Sequence, residues 1–212
     1  MTEGIFITAT GTDIGKTYIS GLLVKNLRKK GIDCGYYKPV LSGAEEVDGK
    51  LIPGDCRHVL NTAGIDLDPA DCASYIFKPA VSPHLASKDI SLVKILKDFE
   101  LIKSNYDFWV VEGAGGIICP LNLSDDPVIM ADLIKIMGFD VIIVADSGLG
   151  TINSTVLTVE FAKQKNIAIK GIIMNNFDEN NFMHIDNKKS IEKLTGVKVI
   201  ATVKTNAKDI EL

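Results

Sequence analysis

Residues Ile5-Phe6-Ile7-Thr8-Ala9 run into Thr10-Gly11-Thr12-Asp13-Ile14-Gly15-Lys16-Thr17, and an amphipathic segment follows at once. The first five form an apolar run of strand length. From Lys16 to Lys30 the apolar residues Ile19, Leu23 and Leu27 recur at helical spacing, which gives the helix one apolar face. Strand, glycine-bearing loop and helix, in that order, form the setting in which a loop holds phosphate groups. The loop's backbone N–H groups add to the positive end of the helix dipole, and both attract an anion. Lys16 then brings a mobile cation to the β- and γ-phosphates, and Thr17 offers a hydroxyl to Mg²⁺. The strict spacing G-x-x-x-x-G-K-[ST] would put glycine at position 10, where this chain has Thr10 with Gly11 one residue later. Gly15-Lys16-Thr17 at a strand-to-helix junction keeps the reading specific.

Outward from this junction the pattern keeps alternating between strand-length apolar runs and helical spacing. Strands are predicted at Ile5 to Ala9, Cys34 to Tyr37, Phe108 to Glu112, Val141 to Ala145, Lys170 to Met174 and Val197 to Val203. Thr151 to Lys165 reads as a helix with Ile152, Val156 and Val159 on one face. This alternation predicts an α/β chain with a mostly parallel central sheet and helices on both faces. Residues 42 to 90 break the rhythm, with a weak helix near Asp55 to Ala63 and a strand at Ser74 to Phe77. A connection of that length is expected to carry active-site loops.

The chain has 212 residues, 46% hydrophobic and 24% charged, which suits one domain spanning 1–212 with a single sizeable core. A formal net charge of −4 lacks the basic footprint of a nucleic-acid or anionic-membrane binder, so small-molecule chemistry is expected. Met1-Thr2-Glu3-Gly4 has no basic leader pattern, and no apolar run approaches a membrane span, so a cytoplasmic location is expected. Cys34, Cys56, Cys72 and Cys119 form no C-x-x-C pair and read as small apolar fillers.

Two further constellations carry chemistry. Phe108-Trp109-Val110-Val111-Glu112 is a buried-strand pattern ending in a carboxylate, followed by Gly113-Ala114-Gly115-Gly116. A carboxylate at the end of a strand beside a phosphate loop is where a hard cation finds its second anchor. In Tyr36-Tyr37-Lys38-Pro39-Val40-Leu41-Ser42-Gly43 a lysine follows the second strand, and Pro39 is expected to stop that strand there. Lys38 would then lie at the carboxyl edge of the sheet, near a γ-phosphate.

These stretches, with Ser82-Pro83-His84 and Gly148-Leu149-Gly150-Thr151-Ile152-Asn153, resemble the dethiobiotin synthetase family of P-loop NTPases over essentially the whole chain and in the family's order. The resemblance implies conversion of 7,8-diaminononanoate, CO₂ and ATP to dethiobiotin, ADP and phosphate, through a carbamate that is phosphorylated and then closed by the second amine. It assigns Lys16 and Lys38 to catalysis at the γ-phosphate and carbamate, and Thr17, Asp55 and Glu112 to Mg²⁺. Nucleotide contacts would come from Asp13, Ile14, Gly15, Lys16, Thr17, Tyr18, Asp55, Glu112, Gly113, Ala114 and Gly115, with Asn175 and Asn176 reading the adenine. Substrate contacts would come from Thr12, Ser42, Gly150, Thr151, Ile152 and Asn153, the last four in a turn at a homodimer interface. Asn175 and Asn176 also read as a turn-forming pair, and His84 as structural or substrate-orienting rather than a general base. Where relatives carry Ile-Pro after the last strand this chain has Val203-Lys204, which leaves the nucleotide preference open.

Rival readings are a partitioning-type regulatory ATPase, an amide-forming ATPase of cobalamin biosynthesis and an inactive nucleotide-binding scaffold. The first carries an extra lysine where this chain has Gly11.

Overall fold

The structure, a computed structural model, describes residues 3–212, so the reading of Met1 and Thr2 lies outside the described residues. Its elements run β1 (Glu3–Ala9), α1 (Lys16–Lys29), β2 (Cys34–Ser42), β3 (Glu45–Val47), β4 (Lys50–Ile52), α2 (Gly54–Ala63), β5 (Ala73–Phe77), α3 (Pro83–Ala86) and α4 (Leu92–Ile102). They continue with β6 (Phe108–Glu112), β7 (Pro120–Asn122), β8 (Val128–Ile129), α5 (Met130–Met137), β9 (Asp140–Asp146), α6 (Thr151–Gln164), β10 (Ile169–Asn175), α7 (Phe182–Thr195) and β11 (Val199–Thr202). Seven strands make one sheet in the order β11-β10-β9-β1-β6-β2-β5, and every pairing in it is parallel. The predicted α/β class and each predicted strand are present.

Strand periodicity sorts the core into two layers. Ile5, Ile7 and Ala9 of β1 pack with Ile19 and Leu23 of α1 and Val59 of α2 on one face. Phe6 points the other way, into a layer shared with Phe99 of α4, Leu133 of α5, Val159 of α6 and Ile191 of α7. Trp109, expected in the core, is 2% exposed and donates its indole N–H to the Lys103 carbonyl at 3.0 Å. Phe99 stands edge-on to Trp109 with ring centroids 5.2 Å apart and tilts against Tyr37 at the same separation. Each such pair contributes about 0.5–1.5 kcal/mol beyond its area.

One prediction needs correction: β2 does not stop at Pro39 but continues to Ser42. The strand changes partners there. Its pairing with β6 ends at Tyr37, and its pairing with β5 begins at Lys38 and resumes at Val40. Pro39 therefore lacks its N–H on the flank where β6 has already left, and no ladder bond is lost. Lys38 accordingly lies inside the strand rather than beyond it.

Candidate active site

The register of two neighbouring strands builds the centre of the site. Tyr36 faces Val110 and Tyr37 faces Val111 across β2 and β6, so Lys38 and Glu112 come next, side by side. Tyr36 and Val110 belong to the layer beneath α1 and α2. Lys38 and Glu112, two residues further along each strand, emerge on that same face. From above, α1 supplies Thr17 in its first turn, and α2 supplies Asp55 in its first turn.

Glu112 has no exposed surface. One of its oxygens accepts from Thr17 Oγ1 at 2.8 Å and from Lys38 Nζ at 2.7 Å, and the other accepts from the Tyr36 hydroxyl at 2.9 Å. Lys38, 3% exposed, also lies 2.7 Å from Asp55 Oδ2 and donates to the Gly113 carbonyl at 3.2 Å. Burial pushes the Lys38 ammonium down, but the Glu112 and Asp55 carboxylates outweigh it and hold the group above the ordinary lysine range. For Asp55, burial raises the carboxyl while Lys38 pulls it lower, and the lysine wins. A buried charge persists only when paired and hydrogen-bonded, and this arrangement meets that condition at both ends.

Lys16 lies close by with its Nζ donating to the Gly11 carbonyl at 3.0 Å. Burial, and then repulsion from Lys38, lower its pKa against the pull of Glu112 and Asp55. The loop below it depends on Gly15, whose φ of +96° is left-handed. A side chain there would also overlap Asn175, whose Nδ2 donates to the Ile14 carbonyl at 3.0 Å. Gly15→Ala is expected to destabilise the fold by about 1–3 kcal/mol through backbone strain alone. Denaturant unfolding measures this, and a change under about 0.5 kcal/mol, the range of an innocuous surface substitution, would refute the strain.

An open cavity of about 960 Å³ spreads over these groups. Thr12, Asp13, Gly15, Lys16, Thr17, Tyr18, Lys38, Ser42, Asp55, Glu112, Ala114 and Gly115 all line it. Ile14, Gly113 and Asn175 stand behind the wall, holding it through the hydrogen bonds just described. Asn176, by contrast, is exposed with φ +56°, donating to Asp146 and accepting from Thr205, as a turn residue would. Gly150, Thr151, Ile152 and Asn153 do not reach the cavity of their own chain. Gly150 caps α6, and Thr151 Oγ1 donates to the Asp146 carbonyl at 2.6 Å.

Sequence reasoning missed Val40, His58, Ala80, Val81 and Cys119 as cavity walls, and quoted Ser82 and Pro83 without giving them a site role. His58 follows Asp55 by one helical turn, a spacing that could have revealed it. Cys34, Cys56 and Cys72 are buried fillers as expected, whereas Cys119 faces the cavity. Ser42 Oγ and Asn175 Oδ1 are buried without a partner within the protein, as are Thr8 Oγ1, Ser20 Oγ and Asn26 Oδ1.

A parallel sheet with a lysine-threonine loop leaving its central strand, beside a strand-end carboxylate, defines a P-loop nucleotide-binding protein. The family described as an AAA domain matches residues 3–209. Relatives that match this chain over its whole length at about half identity are ATP-dependent dethiobiotin synthetases, and the chain belongs to that family. It is 51% identical over 216 residues to the ATP-dependent dethiobiotin synthetase of Clostridium botulinum (strain 657 / Type Ba4), covering 100% of this chain and 95% of that one. It is 47% identical over 216 residues to that of Clostridium botulinum (strain Eklund 17B / Type B), with the same coverage. Among solved structures, a ParA family ATPase from Chlorobium tepidum TLS aligns over 96% of this chain and 84% of its own, with a TM-score of 0.58 and 16% identity. The MinC:MinD cell division complex of Aquifex aeolicus aligns over 98% of this chain and 83% of its own, with the same TM-score and identity. These two likenesses concern the fold alone.

Proposed function

We propose that the chain, acting as one synthetase unit across residues 1–212, converts 7,8-diaminononanoate, CO₂ and ATP to dethiobiotin, ADP and phosphate. The observation that carries this is the convergence of two cations, Lys16 and Lys38, with Thr17, Asp55 and Glu112 at one end of the sheet. Phosphoryl transfer asks chiefly for positioning and charge neutralisation, and this set supplies both. Lys16 steadies the γ-phosphate and Lys38 the carbamate oxygens that attack it. Thr12 and the unpartnered Ser42 hydroxyl bind the amine end of the diamine, and Asp13 contacts the nucleotide.

Thr17, Asp55 and Glu112 fit Mg²⁺: they are hard oxygen donors, and the Lys38 ammonium already sits as a cation against both carboxylates. The ion would supply charge neutralisation along the triphosphate. Thr17→Val is expected to shift the Mg²⁺ dependence of turnover to higher concentration by about tenfold, one lost ligand of roughly 1.4 kcal/mol. Titrating Mg²⁺ against rate measures this, and an unchanged midpoint would remove Thr17 from the metal.

The likeness to the family assigns Asn175 and Asn176 to the adenine; Asn175 Oδ1 is without a partner within the protein, and Asn176 shapes the turn behind it. The Gly150–Asn153 turn serves the site of a second copy in a homodimer, binding the distant carboxylate of the diamine at the α6 N-terminus. Leu149 and Leu157 flank that turn and are exposed, which suits an interface. No described helix is long and apolar enough to cross a membrane, and a cytoplasmic setting suits these substrates.

The test is ATP turnover with and without diaminononanoate and bicarbonate. ADP release that requires both, with dethiobiotin as product, supports the proposal. Hydrolysis indifferent to the diamine would point instead to the regulatory ATPase reading.

A further inference from the structure

The wall facing the phosphate loop contains a hydrogen-bonded chain that the mechanism above does not use. Ser82 opens α3, but its hydroxyl caps nothing there. Instead Ser82 Oγ lies 3.0 Å from His84 Nδ1 and 3.8 Å from Cys119 Sγ. Ser82 and Cys119 both line the cavity, while His84 stands half-buried one step behind. Around them Val81 and Pro83 make an apolar wall suited to the hydrocarbon part of a diamine.

The reaction needs an outlet for protons. When an amine attacks CO₂, its nitrogen lone pair forms the new C–N bond, one C=O electron pair moves onto oxygen, and the nitrogen must lose a proton. No leaving group departs in that step to carry the proton off. Asp55 and Glu112 are held by Lys38 and Thr17. Carboxylates are in any case weak bases toward an ammonium group, whereas a neutral imidazole is suited to the task.

We propose that Ser82 and His84 form a proton relay for carbamate formation, with Ser82 touching the substrate nitrogen and His84 acting through it as a positioning and proton-accepting residue. The substrate N–H proton passes to Ser82 Oγ as the serine's own proton passes to His84 Nδ1. Amine, CO₂ and imidazole thereby become carbamate and imidazolium, and charge and atoms balance. The half-exposed ring then returns the proton to solvent. In this state His84 carries its hydrogen on Nε2, so that Nδ1 accepts from Ser82. Cys119 closes the wall beside them with a neutral thiol.

The proposal rests on the diamine reaction above, and the wild-type protein tests that first: no diamine-dependent turnover would overturn the reaction itself. Given turnover, His84→Asn preserves a hydrogen-bonding partner for Ser82 but no base. Its kcat is expected to fall about 100-fold with KM for ATP within about 2-fold, the signature of a lost proton acceptor rather than lost binding. Added imidazole should restore much of the turnover of His84→Gly and none of that of Ser82→Ala. A His84→Asn kcat near wild type would overturn the relay, as would indifference of His84→Gly to imidazole. Loss of folding in both His84 variants, seen by circular dichroism, would also count against it by making the residue structural.

Discussion

Lys38→Ala is expected to lower turnover by about 10²–10³-fold, the effect of removing one charge aimed at developing negative charge. Lys38 Nζ is fixed by two carboxylates and a carbonyl at distances of 2.7 to 3.2 Å, so its position costs no reorganisation when the reacting oxygens arrive. The loss should fall on kcat, because the ammonium acts most strongly where charge accumulates during transfer. Steady-state kinetics on protein checked for native circular dichroism would measure it. A folded Lys38→Ala protein with wild-type kcat would leave Lys38 as a structural counter-ion for Glu112 and no more.

Much of this site was legible before any coordinates. The strand, loop and helix from Ile5 to Leu27 announced the phosphate cradle, because glycine, lysine and threonine at that junction have few other uses. The alternation of strand and helix periods announced the sheet. What the pattern could not contain was register between strands distant in the chain. Tyr36 and Lys38 share a face by parity, and so do Val110 and Glu112, but their adjacency follows only once β6 inserts between β1 and β2. The same gap explains Pro39. Proline stops a strand whose N–H is needed, and nothing local reveals that β2 changes partners at that residue. Val81 and Cys119 were missed for a related reason, since each reaches the cavity through the packing of a segment whose local pattern is irregular, whereas His58 sits one turn after Asp55 on α2 and was open to a helical reading. The Gly150–Asn153 turn shows the opposite case, a stretch recognisable as a motif that does not line its own chain's cavity.

Burying Lys38 and Glu112 together makes their removal a question of stability as well as rate. In Lys38→Met the Glu112 carboxylate keeps its place beneath α1 with no cation in contact, and such a broken buried pair costs about 3–5 kcal/mol. Glu112→Gln leaves Lys38 with Asp55 alone, and Asp55 is partly exposed, so a loss of the same order is expected. Replacing both removes the uncompensated charge, and the double variant should be less destabilised than the sum of the two by about 2–3 kcal/mol, the range of coupling seen between groups in contact. Urea unfolding of the four proteins closes this cycle, and additive losses would show that the pair is not coupled. The pH dependence carries a second sign. Asp55 has a lowered folded-state pKa, so its contribution is present above the ordinary carboxylate range and is lost as the pH falls through the folded value. Lys38 has a raised one, so its contribution is complete below the ordinary lysine range and is lost only as the pH climbs beyond it. The wild-type centre therefore weakens first on the acid side, where protonating Asp55 takes from Lys38 one of the two carboxylates that hold it in place.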